Sequence, residues 1–469
     1  MKLFFLFLAL GISFIGNNSL TPIVLSETLE EDKKEQLLDS NEKIIEKLKL
    51  KADKSEESSD WINAIKYRKK ILTLKKQKYG LNNVNTALEL NEIARLYENL
   101  ARYENAELNY KQSFEIFKKV LGLDHEHTAT LLNNLGYLYG TIGKYKKAES
   151  HHIKSLEIRK KVLGLNHEHT ASSLTNLGLL YTNLGQYKKA EPLLKQSIGI
   201  YKKVLGLEHP LTAISLNNLG LLYFDTGEYQ KAKSLFKEAI EISKRVPDIE
   251  NPNFATYLSN LGYLYYVLGE YEESNNLYQE SLDIREKIFG INSSHLIQPL
   301  NHFAILFMKL GEYNKAEPYL KKVLELQKET FGLKHPDTAI YLNNLAGYYQ
   351  NLNLYEKAQT LFSQALEIQK EIFGLKHPAT LITLNNIGIN YYYLDQDEKA
   401  KSHLIKTLKI YEEVFGKVHS KTAMTLNNLG LVSEYLGEYK KAISFYEKSL
   451  EIRKKTFGLE HPLTASAMN

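Results

Sequence analysis

The chain has 469 residues, no cysteine and a formal net charge of +5, which is small for this length. Lysine and glutamate are interspersed, as in Lys146, Lys147 and Glu149, and no basic stripe of the kind that nucleic acid requires is present. The composition therefore argues against a nucleic-acid partner and excludes a disulfide framework.

Residues 1–26 predict an export signal. Lys2 precedes a short apolar run, which ends before the polar residues Asn17 and Asn18. The run is too short to span a bilayer comfortably and is typical of a secretory signal peptide. We predict cleavage between Gly16 and Ser26 and an exported protein, secreted or periplasmic. An uncleaved N-terminal membrane anchor is the alternative.

A fixed period of 42 residues organises the rest of the chain. Asp397 replaces one member of a tyrosine series that contains no insertion or deletion: Tyr103, Tyr145, Tyr187, Tyr229, Tyr271, Tyr313, Tyr355 and Tyr439. Such a period is the signature of a solenoid, in which each unit buries its apolar face against its neighbours. We predict a degenerate helical unit over 41–84, which includes Trp61 and Ala64, nine regular units over 85–462, and the start of a tenth over 463–469.

Each unit is predicted to be a hairpin of two antiparallel helices. Apolar residues follow helical spacing in segments such as His209–Gly227, where Pro210 suits a helix start. Two residues before each tyrosine stand Gly, Asn, Asp or Ala, mostly residue types that tolerate a left-handed turn at a helix end. Small residues such as Gly136 and Ala148 recur at two further positions and predict close helix packing. The fold class is therefore all-α.

The unit resembles the tetratricopeptide repeat (TPR). The residues that carry the resemblance are Leu135, Gly136, Tyr139, Gly143, Tyr145 and Ala148. The 42-residue form, with the connector Gly-Leu-x-His-Pro-x-Thr-Ala at 206–213, is most similar to the repeats of kinesin light chains. The resemblance implies a right-handed superhelical solenoid whose first helices line a concave groove.

Seven histidines occupy one position in the connectors: His125, His167, His209, His335, His377, His419 and His461. A solenoid places them about one unit apart, too far to share a metal ion that each must approach to ~2 Å. We interpret them as residues that cap the following helix or pack on the preceding one. The sequence also lacks a cysteine nucleophile, a phosphate-binding glycine loop and a Ser/His/Asp set outside the repeat pattern. We therefore predict no catalysis and no cofactor.

The most informative polar signal is a row of asparagines inside the apolar first helices. Asparagine usually belongs at helix caps, so its recurrence in mid-helix requires an explanation. The row, with a histidine at one position, consists of Asn134, Asn176, Asn218, Asn260, His302, Asn344, Asn386 and Asn428. The resemblance implies that these side chains bind the backbone of a peptide. The alternative is a ladder in which each asparagine bonds the neighbouring unit, and both can hold in different units.

A second row lies three residues further along the same helices: Tyr137, Leu179, Leu221, Tyr263, Ile305, Gly347, Ile389 and Leu431. None of these residues is basic, so the clamp that some relatives use for a terminal carboxylate is absent. An amide row beside an apolar and aromatic row suits an extended or helical peptide with hydrophobic anchors. The predicted groove therefore comprises the asparagine row with His302, together with Tyr137 and Tyr263.

The pattern is irregular in the middle of the array. Asp248 replaces the connector glycine, Ser293 and Ser294 replace His-Pro, and His302 replaces asparagine. Such departures often mark function or strain, although simple drift is the alternative. A separate groove patch is the resulting hypothesis, formed by Tyr263, Tyr266, His302 and Met308.

The end of the sequence predicts an open apolar face. Only about two helical turns of a tenth unit follow His461, whereas solenoids usually finish with a polar capping helix. We expect the open face to include Leu426, Leu429, Ala442, Phe445 and Leu450. End-to-end self-association, or a longer natural array, would follow.

The predicted function is a non-catalytic scaffold or adaptor that binds a protein or peptide in the concave groove. Alternatives are a regulatory or sensor array of a multi-protein enzyme system and a cargo adaptor similar to a kinesin light chain. The apolar N-terminus and the lack of a long heptad region argue against the cargo adaptor.

Overall fold

The computed structural model describes residues 28–245, 252–458 and 464, with side chains from residue 41 onward. The predicted export signal, His461 and Asp248 lie outside these residues. The described part of the chain contains twenty α-helices and no strand, which confirms the all-α fold. No helix within it is long and apolar enough to cross a membrane.

The helices form ten consecutive pairs, each of which packs as a hairpin. In chain order they are α1 (Thr28–Glu57), α2 (Trp61–Tyr79), α3 (Val84–Asn99), α4 (Tyr103–Leu121), α5 (Glu126–Thr141), α6 (Tyr145–Leu163), α7 (Glu168–Asn183), α8 (Tyr187–Val204), α9 (Pro210–Asp225), α10 (Tyr229–Arg245), α11 (Pro252–Leu268), α12 (Tyr271–Phe289), α13 (Ile297–Lys309), α14 (Tyr313–Phe331), α15 (Pro336–Asn351), α16 (Tyr355–Phe373), α17 (Pro378–Tyr393), α18 (Asp397–Phe415), α19 (Ser420–Tyr435) and α20 (Tyr439–Phe457). We call α3/α4 unit 1 and α19/α20 unit 9.

Small residues let the two helices of each unit approach closely. A Cβ atom added at Gly220 would lie 2.6 Å from Cε1 of Phe236, and one added at Gly136 would lie 2.8 Å from Cε1 of His152. The second small position, Ala148 in unit 2, is fully buried. The predicted close packing is confirmed, and it explains why glycine persists inside these helices despite its low helix propensity.

The connector motif is a set of structural contacts. In the connector before α9, Gly206 has a φ of 97°, and its carbonyl oxygen accepts a 2.9 Å hydrogen bond from the Thr212 hydroxyl. Nδ1 of His209 accepts a hydrogen bond from the backbone N–H of Leu211 at 3.2 Å. The other described connector histidines cap their helices in the same way. The capping interpretation is therefore confirmed for these residues.

The odd-numbered helices form the inner layer of the solenoid. From α5 to α19, each odd-numbered helix contacts the next odd-numbered helix in addition to its own partner. Successive even-numbered helices in the described chain make no contact of comparable extent. The odd-numbered helices therefore line the concave face, as the resemblance implied.

The solenoid turns so tightly that later units touch earlier ones. Nε2 of His335 lies 3.2 Å from the carbonyl oxygen of Asn99, and Nε2 of His377 lies 2.9 Å from that of Thr141. Each contact joins residues 236 positions apart, which is between five and six units. We call this line of contacts between successive turns the seam.

The seam also contains aromatic and hydroxyl contacts. Tyr103 stacks on Phe373 with ring centroids 5.8 Å apart. One unit later, the ring centroids of Tyr145 and Phe415 are 6.4 Å apart. At its beginning, the hydroxyl oxygens of the Ser59 and Ser294 side chains lie 3.1 Å apart. The seam therefore runs over several consecutive units at constant register.

The contacts of the seam histidines define their protonation state. Nδ1 of His335 accepts the capping hydrogen bond from the Asp337 backbone, so the ring proton lies on Nε2, which donates to Asn99. This is a neutral imidazole with both nitrogens bonded. Burial lowers the pKa of His335 to about 4, and the same cause lowers the pKa of His419 to about 4.

The expected open face at the end of the described chain is wrong in part. Leu426, Leu429 and Ala442 are all buried. Leu426 and Leu429 pack within clusters formed by unit 9 and the preceding unit. Phe445 and Leu450 are only partly exposed. The exposed apolar side chains of this unit are Tyr435, Tyr439 and Ile443.

Candidate binding face

The predicted asparagine row lies on the inner helices, at the same turn of each. Its members are Asn134 on α5, Asn176 on α7, Asn218 on α9, Asn260 on α11, His302 on α13, Asn344 on α15, Asn386 on α17 and Asn428 on α19. The structure therefore places all eight positions on one continuous face. The asparagines at 176, 218 and 260 are buried, and the other members are partly buried.

Five asparagines of the row form a ladder between units. Each donates from Nδ2 to the Oδ1 atom of an asparagine 43 residues earlier, on the inner helix of the preceding unit. The pairs are Asn134 to Asn91 (2.8 Å), Asn176 to Asn133 (2.9 Å), Asn260 to Asn217 (2.9 Å), Asn344 to Asn301 (2.7 Å) and Asn428 to Asn385 (3.2 Å). The ladder alternative is thus confirmed for these five members.

The ladder is interrupted at Asn218 and His302, where the acceptor asparagine is missing, and at Asn386, where Asn343 is present but the two make no hydrogen bond. Asn218 makes no side-chain hydrogen bond within the described chain, because the preceding unit carries Thr175 at the acceptor position. The Thr175 hydroxyl is paired with Ser197 at 2.6 Å. Similarly, Ser259 stands at the acceptor position before His302 and pairs with Ser281. The acceptor asparagines were missed in the sequence, although the recurring Asn-Asn pairs were a signal for them.

The ladder uses the amide donors and leaves acceptor oxygens unused. Oδ1 of Asn176 and Oδ1 of Asn260 are buried and lack a donor among the described residues. With Asn218, these residues give three consecutive units in which a carboxamide oxygen of the row remains unbonded. An amide oxygen left in this state is costly, and a ligand N–H group is the donor that would satisfy it.

The second row is buried in units 3 and 4, two of these three units. Leu179 is 6% and Leu221 is 8% exposed, whereas Tyr137, one unit earlier, is 38% exposed. Its hydroxyl group points towards the seam, where desolvation of that group, together with the nearby carboxyl groups of Glu98 and Asp337, raises the pKa of Tyr137 well above the usual range. Burial also raises the pKa of Asp337 to about 7.

The irregular middle of the array does bring its predicted residues together. Tyr263 stacks on Tyr266 and on His302, with ring centroids 5.7 and 6.4 Å apart, and Met308 packs against the same core cluster. His302 also stacks on Tyr278, and burial lowers its pKa to about 3, so that it is neutral. The altered connector forms a 3₁₀ turn (Ser294–Leu296), which shortens α13. A binding role for this patch stays a prediction.

The described residues include no group of three His, Asp or Glu side chains that could hold a metal ion. The paired histidines His125 and His127 stand with ring centroids 5.3 Å apart and serve the connector. The inner face thus offers hydrogen-bond acceptors and apolar side chains for non-covalent binding.

Comparison with solved structures gives matches at low sequence identity. One is BtubC (BKLC) from P. vanneervenii, at 21% identity over 49% of this chain and 92% of that chain, with a TM-score of 0.41. A Rap protein complexed with Competence and Sporulation Factor has 15% identity over 88% and 99%, with a TM-score of 0.48. A putative kinesin light chain from Podosopora anserina has 22% identity over 53% and 97%, with a TM-score of 0.28. No curated protein matches the chain.

A family model provides the assignment. The tetratricopeptide repeat model matches residues 88–161, 127–203, 170–245, 211–287, 295–371, 342–413 and 421–469. These overlapping matches cover most of the chain and coincide with the helix pairs described above. The chain belongs to the tetratricopeptide repeat family.

Proposed function

We propose that the protein is a non-catalytic scaffold that binds a protein or peptide segment on its concave face. The observation that carries this proposal is the pair of buried carboxamide oxygens of Asn176 and Asn260 that lack a donor, together with Asn218 between them, whose side chain makes no hydrogen bond within the described chain. They recur once per unit beside the apolar side chains of Leu179 and Leu221.

The chemistry of the face defines the class of ligand. Carboxamide oxygens accept hydrogen bonds from peptide N–H groups whatever the ligand's sequence, so this row would fix the course of a bound backbone. Apolar and aromatic side chains at the neighbouring row supply contacts for hydrophobic anchors of the ligand. The resulting partner is a peptide segment, extended or helical, with apolar side chains at intervals.

A peptide array tests this proposal. Peptides that bind the wild-type protein are selected from a randomised library and measured by fluorescence anisotropy. Asn218→Ala should weaken binding about tenfold, which is about 1.4 kcal/mol, without lowering the melting temperature, because Asn218 has no ladder bond. The matched variant Asn217→Ala removes a ladder acceptor and should lower stability more than affinity. Equal affinity of wild type and Asn218→Ala would refute the role of the row.

We further propose that the protein is exported, on the basis of the N-terminal apolar run alone. The expected outcome is a native protein whose first residue falls between positions 17 and 27. Mass spectrometry of protein purified from its natural source measures this mass. A native protein that retains Met1 would contradict cleavage and favour the anchor alternative.

A further inference from the structure

We propose that the seam is a clasp that controls access to the binding face, opening to admit a ligand and closing to give the arrangement seen here. The inference deepens the proposed function and rests on it. It is drawn from the geometry of the seam, the coverage of the central units and the distribution of phenylalanine along the repeat.

The seam changes the shape of the space inside the superhelix. The inner helices face the superhelix axis, and without contact between turns their groove would be open along its whole length. Because Asn99 and Thr141 of the earlier turn meet His335 and His377 of the later turn, the groove is closed along its side. A ligand can then reach the inner face only through the ends, or after the turns separate.

The central units carry the most buried members of the asparagine row. Asn176, Asn218 and Asn260 are only 3–6% exposed, while the row members of the flanking units are more exposed. In the second row, Leu179 in the centre is buried, whereas the chemically identical Leu431 in unit 9 is partly exposed. A face that carries unused acceptors but is closed to water requires an opening before it can bind a peptide.

The seam is suited to opening because it is much weaker than the contacts within the solenoid. It consists of a few hydrogen bonds, aromatic contacts and an electrostatic attraction between Asp225 and Lys421, and no buried hydrophobic cluster of the described chain includes residues from both turns. Neighbouring units, in contrast, share continuous apolar cores. The turns can therefore separate while every unit stays folded.

The sequence distinguishes the turn that closes the seam from the turn before it. The last residue of the outer helix is Phe331, Phe373 and Phe415 in units 6 to 8, but Leu121 and Leu163 in units 1 and 2. Each phenylalanine contacts the connector histidine that follows it, with ring centroids between 3.9 and 4.9 Å apart. Units 6 to 8 can contact an earlier turn of the solenoid, and they carry phenylalanine at this position. Units 1 and 2 have no earlier turn to contact at this position, and they carry leucine.

The absence of cysteine allows a direct test in the full-length chain. Ser59→Cys with Ser294→Cys places two thiols where the hydroxyl oxygens are 3.1 Å apart, so that oxidation should lock the seam. The double variant Phe373→Leu with Phe415→Leu should weaken the seam. Leucine is chosen because units 1 and 2 carry it at the same repeat position. The reporter is Tyr137→Cys, beneath the seam, and the control is Lys146→Cys on the exposed side of α6.

The measured quantity is the rate at which the reporter cysteine reacts with maleimide reagents. A maleimide on a long polyethylene glycol chain should react at position 137 at least tenfold more slowly in the locked protein than in the loosened protein. N-ethylmaleimide should differ much less, and position 146 should react equally in both. Reduction of the lock should restore the fast rate. Circular dichroism shows whether each variant keeps its helix content.

Two results would overturn the proposal. Failure of the oxidised cysteine pair to form a disulfide in folded protein would show that the turns are not in contact. Equal rates of the large reagent at position 137 in the locked and loosened proteins would show that the seam does not control access. Neither measurement uses a ligand, so a failed peptide selection would count against the proposed function and leave the clasp intact.

Discussion

At the scale of single residues, one turn position shows how strongly the hairpin geometry is imposed. The residue two positions before each tyrosine has a positive φ in all nine units, including the non-glycine residues Ala101 (54°), Asn353 (58°) and Asp395 (55°). Alanine lacks the polar side chain that lets Asn and Asp tolerate this region. Unit 1 therefore carries local backbone strain that the packing of its helices sustains.

Ala101→Gly should accordingly stabilise the protein by about 1 kcal/mol, because glycine adopts this conformation without a Cβ clash. Chemical unfolding at neutral pH measures the change. The reciprocal control is Gly311→Ala at the same position of unit 6, which has a φ of 74° and open space around its Cβ position, and which should destabilise by a similar amount. A loss of stability in Ala101→Gly would show that unfolded-chain entropy outweighs the relieved strain.

His335 predicts a pH dependence of stability. Its pKa is about 4 in the folded protein and close to 6.5 when unfolded, so the unfolded chain binds the proton first. The stability contributed by the neutral imidazole is complete above pH 6.5 and is lost as the pH falls towards 4, by up to about 3 kcal/mol. Asp337, 3.7 Å away, acts in the opposite direction, because its pKa is raised to about 7 and its contribution to stability therefore grows as the pH falls. The comparison of wild type with a His335 variant isolates the histidine, since Asp337 is present in both.

His335→Asn tests this sign, since Asn83 already caps α3 in the same position. At pH 7 the variant should be about 1 kcal/mol less stable, because the bond to the Asn99 carbonyl is lost. At pH 4 it should be the more stable of the two proteins. Denaturant unfolding at both pH values gives the comparison, and parallel curves without a crossing would contradict the assigned neutral state.

At the scale of helices, the asparagine ladder ties each inner helix to the next. Asn176→Ala should cost about 1–2 kcal/mol, because it leaves the buried Oδ1 atom of Asn133 with one donor fewer. Asn386→Ala is the matched control, since its preceding unit offers Asn343 but the two make no hydrogen bond. Thermal melts of the two variants provide the comparison. Equal destabilisation would mean that the ladder bond contributes nothing beyond side-chain packing.

The sequence predicted the helix pairs and connectors well, because those features depend on neighbours within one period. Glycine is required at position 136 by a close helix contact and at position 206 by a positive φ, so the recurrence of glycine at these positions could be interpreted directly. The ladder was predicted only as one of two alternatives, because its bonds depend on which residue stands 43 positions earlier, as at Thr175. The buried state of Leu429 was missed, because residues of the preceding unit, Ala400 and Leu404, pack against it together with its own unit.

At the scale of the whole molecule, the seam adds long-range coupling to an array that is otherwise built from nearest neighbours. Repeat proteins usually behave as a sum of unit stabilities and interfaces between adjacent units. Here Tyr103 in unit 1 contacts Phe373 in unit 7, although five complete helix pairs and parts of two others separate them along the chain. This coupling was not predicted from the sequence, because the repeat length alone does not give the curvature of the solenoid. The curvature determines which units of successive turns meet.

Phe373→Leu should therefore loosen a segment far away in sequence. Loss of an aromatic contact of about 0.5–1.5 kcal/mol predicts amide exchange roughly two- to tenfold faster across the turn between α3 and α4, near residues 99–103. Hydrogen exchange followed by mass spectrometry resolves this segment from the site of mutation. Lys370→Ala, at an exposed position one turn earlier on α16, controls for effects within unit 7.

The pattern of exchange then distinguishes two descriptions of the molecule. If the turns are coupled through the seam, Phe373→Leu accelerates exchange both near residue 373 and near residues 99–103, while α8 and α9, which lie between them in the chain, keep their protection. In a purely nearest-neighbour array, the change would spread only into units 6 and 8. The second pattern would show that the stacked rings of Tyr103 and Phe373 carry no coupling free energy, and the superhelix would then open and close without any contribution from this contact.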